Sequence, residues 1–283
     1  MSAGCLWGTF GVLTKTAYAM TTLGPVSLAS YRLIIAIPFL GLLTALKRYR
    51  ISMSRHEIVL FLGFGFFSLT LFEALYFTSL AYTTVQHAAA LLYTAPAFVA
   101  ILSWFFLKER LTPTKLTAII LSILGAFLIL GITRNESLFA SRTQIGDWLA
   151  VGSGAAYSTW YIFGKVLGRN REPAVTSLFG SCIGALMLFP LSVALEGLSI
   201  PQTPTAWVLV AAIGIVPTAI AYLFYLAGLK LIEATKASVF AVMEPLTSTV
   251  LAFYFFQETF AYDSLIGFGL IIGSILLIST VRN

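Results

Sequence analysis

Two apolar stretches of equal length decide the fold of this chain: AAALLYTAPAFVAILSWFFLKER, residues 88–110, and ASVFAVMEPLTSTVLAFYFFQET, residues 237–259. Each holds about 20 residues with almost no charge, which is the length that an α-helix needs to cross a bilayer core. Each also has a proline near its middle, Pro96 or Pro245, and a glutamate thirteen residues later. They predict two membrane-spanning helices at the same place in two copies of one unit.

The composition places the whole chain in the membrane class. Of its 283 residues, 59% are hydrophobic and 10% are charged, whereas soluble domains carry about 25% charged residues. Polar interruptions divide the chain into ten apolar stretches that are long enough to span a bilayer. The predicted spans are residues 3–22, 25–46, 57–80, 86–107, 114–132, 147–168, 174–195, 205–229, 237–256 and 263–280.

The basic residues outside these spans predict the orientation. If both termini are cytoplasmic, Arg134 and Arg142 are the only basic residues in loops on the outer side, and the other loop lysines and arginines lie inside. The positive-inside rule favours this orientation. We therefore expect a multi-pass protein of the inner or plasma membrane, in which the net charge of +6 is an orientation signal and not a nucleic-acid footprint.

A shift of 149 residues superposes the second half of the chain on the first. The shift aligns Gly65 with Gly214, Tyr76 with Tyr225, Ala88 with Ala237, Pro96 with Pro245 and Glu109 with Glu258. Five spans per copy is an odd number, so the second copy enters the membrane with opposite polarity. The loop charges agree, because Lys108 of the first copy corresponds to the uncharged Gln257 of the second.

These patterns predict an all-α membrane protein of ten transmembrane helices, arranged as two inverted five-helix repeats around a central cavity. The first repeat is expected at residues 1–135 and the second at 147–283, with an external loop at 136–146.

The two quoted stretches resemble the EamA-type branch of the drug/metabolite transporter superfamily. The residues that carry the resemblance are Tyr93 or Met243 just before the mid-span proline, and Glu109 or Glu258 thirteen residues after it. The resemblance covers the whole chain. It implies a ten-helix fold with a central cavity and export of amino acids or related metabolites without a bound cofactor, but it does not name the substrate.

Ionisable side chains inside a bilayer are costly, so each one is a candidate for function. Lys15, Arg32 and Glu73 lie at one depth, about 10 Å from the outer ends of their spans. They form either a mutually neutralising ion cluster or an outer site in which the cations bind a substrate carboxylate and Glu73 binds its amino group. His87 lies close to the outer surface and is expected to be an interfacial residue.

Glu244 lies near the midplane and immediately precedes Pro245. The proline has no amide hydrogen and frees the carbonyl of Ala241 one turn back. Glu244 is therefore either a protonatable coupling or gating group, or a structural acceptor beside unwound backbone. Glu109 and Glu258 are expected to cap the helices that follow them.

Aromatic side chains repeat on matching helical faces of the two copies. Aromatic rings that face a cavity would bind a planar or amphipathic solute, whereas the alternative is helix packing or a lipid-facing belt. The complete set of predicted substrate-binding residues is Trp7, Lys15, Arg32, Glu73, Tyr76, Tyr93, Tyr157, Trp160, Tyr222, Tyr225 and Glu244. No catalytic, cofactor-binding or metal-ligating residue is predicted, and Cys5 and Cys182 are expected to be packing residues.

We expect a secondary transporter that exports small metabolites, most simply amino acids, by alternating access, with protons as a candidate coupling ion. The alternatives are an exchanger of phosphorylated anions, which would use Lys15, Arg32 and Lys165, and an exporter of organic cations. The chain lacks HExxH, paired-aspartate and GxSxG motifs, which argues against an enzyme. It also lacks a filter-like loop or a ring of like charges, which argues against a channel.

Overall fold

The computed structural model describes residues 1–131, 138–257 and 261–281, and every regular element in these ranges is a helix. Each of the ten helical segments in this part of the chain begins and ends within three residues of a predicted span. They are α1 (Ser2–Met20), α2 (Pro25–Leu46), α3 (Arg55–Ser79), α4 (Val85–Leu107), α5 (Pro113–Ile129), α6 (Gln144–Gly168), α7 (Pro173–Glu196), α8 (Pro204–Leu231), α9 (Ala234–Phe256) and α10 (Tyr262–Ser279).

Seven of these helices are long and apolar enough to cross a membrane: α2, α3, α4, α7, α8, α9 and α10. Helix α5 is apolar but shorter, with 17 residues. Helices α1 and α6 are long enough but less apolar, because glycine, serine and threonine interrupt them and each carries a lysine, Lys15 or Lys165. This set of apolar helices is typical of a multi-pass membrane protein.

Helices α4 and α9 are broken at equivalent places. Helix α4 is interrupted at Tyr93 and Thr94, and α9 at Val242. Each break precedes a proline, Pro96 or Pro245, which cannot donate a hydrogen bond to the carbonyl one turn back. The two prolines therefore put an unwound turn near the middle of each helix.

Other backbone features also recur at the interval of 149 residues. Both α3 and α8 widen into a π-helix, over Phe64–Leu71 and Gly214–Ile220. Lys108 and Gln257 each end a helix in the left-handed conformation, with φ of 60° and 56°. The helix N-caps correspond as Ser54 with Thr203, Thr84 with Glu233, and Thr112 with Ala261. The two halves thus follow one backbone plan.

The halves interlock through equivalent helix pairs, with α2 against α7 and α5 against α10. Helix α1 crosses the break of α9, and α6 crosses the break of α4. Glycines allow both crossings: a Cβ added at Gly4 would lie 3.1 Å from the Ala241 oxygen, and one at Gly154 would lie 3.0 Å from the Leu92 oxygen. The largest buried core is built from residues of both halves, with α1, α2, α3 and α4 of the first half and α6, α7, α8 and α9 of the second.

Candidate functional site

Aromatic rings from three helices meet in this core. We call them the aromatic cluster, and they are Trp7 of α1, Tyr157, Trp160 and Tyr161 of α6, and Tyr222 and Tyr225 of α8. Trp160 is at its centre, with its ring centroid 4.9 Å from Tyr225, 5.1 Å from Tyr222 and 6.4 Å from Trp7. Tyr161 continues the contacts, at 5.3 Å from Tyr225 and 5.6 Å from Tyr157.

Helical spacing explains why these rings face one another. Residues three or four positions apart lie on one face of a helix, as Tyr157, Trp160 and Tyr161 do on α6 and Tyr222 and Tyr225 do on α8. Tyr76 of α3 joins the cluster through Phe72, whose ring centroid lies 5.1 Å from that of Tyr157. The predicted aromatic residues of α1, α3, α6 and α8 are therefore brought together.

An ion pair borders the cluster. Arg32 of α2 pairs with Glu73 of α3, and both side chains are buried. Arg32 also donates a hydrogen bond to the Tyr222 hydroxyl at 3.4 Å, and its guanidinium carbon lies 5.4 Å from the ring centroid of Phe10. The pair neutralises both charges and ties α2 and α3 to the aromatic cluster.

Lys15 does not share this arrangement, although it was predicted at the same depth. Its side chain is exposed, and its Nζ lies 4.2 Å from the ring centroid of Phe256 in α9. The helix turn of α1 explains the difference, because Gly11, one turn earlier, already faces Ser248 of α9. The expected three-residue cluster is therefore a pair, Arg32 with Glu73.

Glu244 lies just after the break of α9 and lines a small cavity of about 10 Å³. Its carboxyl group interacts with the Tyr93 hydroxyl, which comes from the break of α4. The rings of Tyr157 and Tyr161 form another wall, so this cavity adjoins the aromatic cluster. The two helix breaks thus bring Glu244 and Tyr93 to the centre of the bundle.

A larger cleft of about 200 Å³ lies between α1, α8 and α9. Tyr225 forms its wall on the side of the aromatic cluster, and Ala241 borders both the cleft and the Glu244 cavity. Around the cluster itself the rings are packed against one another. The space beside Glu244 is small, at about 10 Å³.

The connection between α8 and α9, residues 228–236, is held by side chains of α5, of α6 and of the loop between α4 and α5. The Glu109 carboxylate accepts hydrogen bonds from the amides of Ala234 at 2.6 Å and Thr235 at 3.1 Å. Glu109 therefore caps α9 and not the helix that follows it, because Thr112 already caps α5. Glu258, predicted to act likewise, lies outside the described residues.

Two lysines also hold this connection, and we call the side chains that hold a connection its clamp. Lys165, in the last turn of α6, donates hydrogen bonds of 2.7 Å to the carbonyls of Leu229 and Ile232. Lys115 of α5, which is almost fully buried, forms a 2.7 Å ion pair with Glu233. Lys165 is therefore engaged with backbone at the end of α8.

The equivalent connection between α3 and α4, residues 79–87, is held by a single acid. Asp147, in the first turn of α6, is buried and accepts hydrogen bonds from the Thr83 hydroxyl at 2.6 Å and the Phe139 amide at 2.8 Å. His87 lies against the same carboxylate, with 3.3 Å between Nδ1 and Oδ1. His87 is thus buried within the protein against Asp147, and its position near the outer surface of the membrane stays a prediction.

The described ranges 1–131, 138–257 and 261–281 contain no cluster of three histidine, cysteine or acidic side chains that could hold a metal ion. Cys5 and Cys182 are both half-buried free thiols. The chemistry that these ranges offer is therefore that of aromatic rings, hydroxyl groups and a few buried charges.

A bundle of long apolar helices is the architecture of a multi-pass membrane protein. Comparison with known proteins defines the class further: the profile described as EamA-like transporter family matches residues 1–131 and again residues 144–280. The chain belongs to the EamA-like transporter family. It is accordingly a multi-pass membrane protein and a transporter, and the prediction that it is not an enzyme is confirmed.

The similar proteins are themselves described as uncharacterized transporters. An uncharacterized transporter of Archaeoglobus fulgidus is 27% identical over 247 residues, which cover 87% of this chain and 84% of that protein. The uncharacterized transporter YwfM of Bacillus subtilis is 26% identical over 278 residues, covering 98% and 91%. The uncharacterized inner membrane transporter YicL of Salmonella typhimurium is 25% identical over 282 residues, covering 98% and 92%.

A solved crystal structure shares the fold. It superposes with a TM-score of 0.84 at 22% sequence identity, and the match covers 99% of this chain and 94% of the other.

Proposed function

We propose that this protein is a secondary transporter that exports small amphipathic metabolites, amino acids or close relatives, by alternating access. The observation that carries the proposal is the aromatic cluster with buried charges of both signs beside it. Ring faces bind the apolar part of a solute, and a few placed polar groups orient it. The Arg32–Glu73 pair and Glu244 are the polar groups nearest to these rings.

The proposed membrane arrangement is ten spans in two inverted five-helix repeats. Both termini lie in the cytoplasm, and the membrane is the inner or plasma membrane. Three observations support it: the backbone features that recur at 149 residues, the two separate matches to one family profile, and the inward bias of basic loop residues. In this arrangement the connection 228–236 lies on the cytoplasmic side and 79–87 on the outer side.

Alternating access is supported by the small size of the space beside Glu244. The cavity beside Glu244, of about 10 Å³, holds roughly one water-sized group, so a metabolite needs a rearrangement of the helices around it. The breaks in α4 and α9 supply places where the backbone can bend, because their carbonyls lack the usual intrahelical partners.

The exchange of phosphorylated anions is less well supported. It would need cations that face a common cavity, but Arg32 is paired with Glu73, and Lys165 donates to backbone carbonyls. Lys15 lies over the ring of Phe256 on the side facing α9. The cations of this candidate site are therefore engaged elsewhere.

Uptake of radiolabelled phenylalanine and leucine into proteoliposomes of the purified protein tests this proposal, with and without an imposed pH gradient. We expect saturable uptake that a Trp160→Leu change reduces at least about tenfold, because Trp160 joins three helices of the aromatic cluster. The matched control is Trp148→Leu on the same helix, whose ring is exposed.

Saturable uptake of a phosphorylated sugar, with no uptake of either amino acid, would contradict the proposal. A response of amino-acid uptake to the gradient would assign protons as the coupling ion, and equal uptake in both conditions would exclude them.

A further inference from the structure

The acids of this bundle differ in how their charge is compensated. Most of them meet a cation or several backbone amides of the protein itself. The ion pairs are Glu57 with Arg171, Glu73 with Arg32, Glu172 with Lys230 and Glu233 with Lys115. Glu109 and Glu196 each accept from two amides at a helix start, and Asp147 accepts from the Phe139 amide and from two threonine hydroxyl groups.

Glu244 differs from these acids. Within the part of the chain that the structure describes, it takes part in no ion pair, and its polar neighbour is the Tyr93 hydroxyl. Arg32 is the cation whose charge acts on it, but the guanidinium of Arg32 is already paired with Glu73. A carboxyl group deep in a bundle either holds a proton or, when ionised, needs a compensating cation. The described residues leave Glu244 without an ion-pair partner, so a cationic group of the solute can take that place.

The walls of the Glu244 cavity suit one kind of cation. Three of its lining side chains are tyrosines, Tyr93, Tyr157 and Tyr161, and ammonium groups are attracted to the faces of aromatic rings. Ser238 also lines the cavity, but its hydroxyl donates to the Thr235 carbonyl of its own helix at 2.7 Å. The volume of about 10 Å³ fits a water-sized head group such as –NH₃⁺.

We propose that Glu244 and the tyrosine rings around it form the subsite that binds the protonated amino group of the substrate. This inference rests on the proposed function and narrows it to solutes that carry an amine. It also reassigns a role, because Glu73, the acid expected from the sequence to bind the amino group, is occupied by Arg32. The apolar part of the solute then lies against the aromatic cluster that continues from Tyr157 and Tyr161.

Three probes that share one phenyl ring and differ only in their charged groups test the subsite: phenethylamine, phenylalanine and 3-phenylpropionate. Their dissociation constants are measured with the purified protein by quenching of tryptophan fluorescence, since Trp7 and Trp160 lie in the cluster. We expect the two amines to bind at least about tenfold more tightly than 3-phenylpropionate. A tenfold ratio of dissociation constants is about the effect expected of one hydrogen bond to a charged group.

The decisive variant is Glu244→Gln, which keeps the size of the side chain and removes its charge. It is expected to raise the dissociation constant of phenethylamine at least about tenfold and to change that of 3-phenylpropionate by no more than about twofold. The matched control is Glu172→Gln. Glu172 is an exposed acid at the N-cap of α7, and it pairs with Lys230. That control should leave all three dissociation constants unchanged.

A Glu244→Asp variant covers the case in which the glutamine variant does not fold, because it keeps the charge and should keep the preference for amines. The inference is overturned if Glu244→Gln weakens all three probes equally or leaves phenethylamine unchanged. It also fails if the parent protein does not distinguish the probes, while the proposed function then stands. If the parent protein binds none of the three, both proposals fail.

Discussion

The two connections 79–87 and 228–236 occupy the same place in the two halves of the molecule, yet different side chains hold them. The first is held by one acid, Asp147, and the second by Glu109 together with Lys165 and Lys115. One helix contributes to both clamps, since α6 carries Asp147 in its first turn and Lys165 in its last. At 1.5 Å per residue these two side chains start roughly 27 Å apart.

The difference shows that two halves with the same backbone plan need not be held by equivalent side-chain contacts. Lys15 and Lys165 correspond at a shift of 150 residues, but Lys165 binds the carbonyls at the end of α8 while Lys15 lies over Phe256 of α9. The carbonyls at the end of α3 correspond to those that Lys165 binds. In the conformation described here, the two ends of the bundle are therefore closed by unequal sets of contacts, and their separate opening should cost unequal free energies.

The largest effect is expected for the acid that holds the connection 79–87. An Asp147→Ala change leaves two hydroxyl groups, a histidine and the Phe139 amide without their acceptor. We expect a loss of about 3–5 kcal/mol in the free energy of unfolding, as for other buried hydrogen-bond networks. Unfolding in detergent by a denaturant titration measures it.

Asp147→Asn is the control, because it keeps one carbonyl acceptor and should lose about half as much. If the alanine variant unfolds within about 1 kcal/mol of the parent, Asp147 does not clamp this connection.

A smaller effect is expected for the acid that holds the connection 228–236. Glu109→Ala removes the acceptor for the amides of Ala234 and Thr235 and for the Thr235 hydroxyl. The expected loss is about 2–3 kcal/mol, since the start of α9 loses its cap. Faster amide exchange confined to residues 228–236 would show that the clamp acts locally. Uniform exchange throughout the chain would show that Glu109 supports the whole bundle and not this connection.

The smallest effects come from the two lysines, and their difference tests the asymmetry directly. Lys165→Met should cost about 1–2 kcal/mol for two carbonyl hydrogen bonds, and Lys15→Met is the matched variant at the equivalent position of the first half. Methionine keeps the length of the side chain in both variants. Equal losses of stability in a thermal unfolding series would mean that the two lysines stabilise the two halves equally.

Much of the fold follows from local features that the sequence displays. Apolar runs of span length predict helices because every backbone group in a bilayer must be bonded internally, and all ten predicted spans match helices within three residues. The mid-span prolines indicate where α4 and α9 unwind, because a missing amide acts on its own helix. The aromatic residues on one face of α6 likewise follow from the helical period.

The partners of individual charges could not be predicted in this way. Depth placed Lys15 beside Arg32 and Glu73, but depth does not give the direction in which a side chain leaves its helix. Glu109 and His87 were assigned to nearby or surface positions, whereas their partners, Ala234 and Asp147, are 125 and 60 residues away in sequence. Such pairs depend on which helices pack together.

The sequence by itself determined that this chain is a membrane protein, where its helices begin and end, and that its two halves share one plan, because hydrophobic length, proline chemistry and repeat spacing act locally. Only the tertiary structure decided how each acid of the described ranges is compensated. The packing of α2 against α3 places Arg32 beside Glu73. The breaks of α4 and α9 lie next to each other, and this places Glu244 among tyrosines. The rotation of each helix about its axis sets those contacts, and many weak packing contacts that are spread along the whole chain set that rotation.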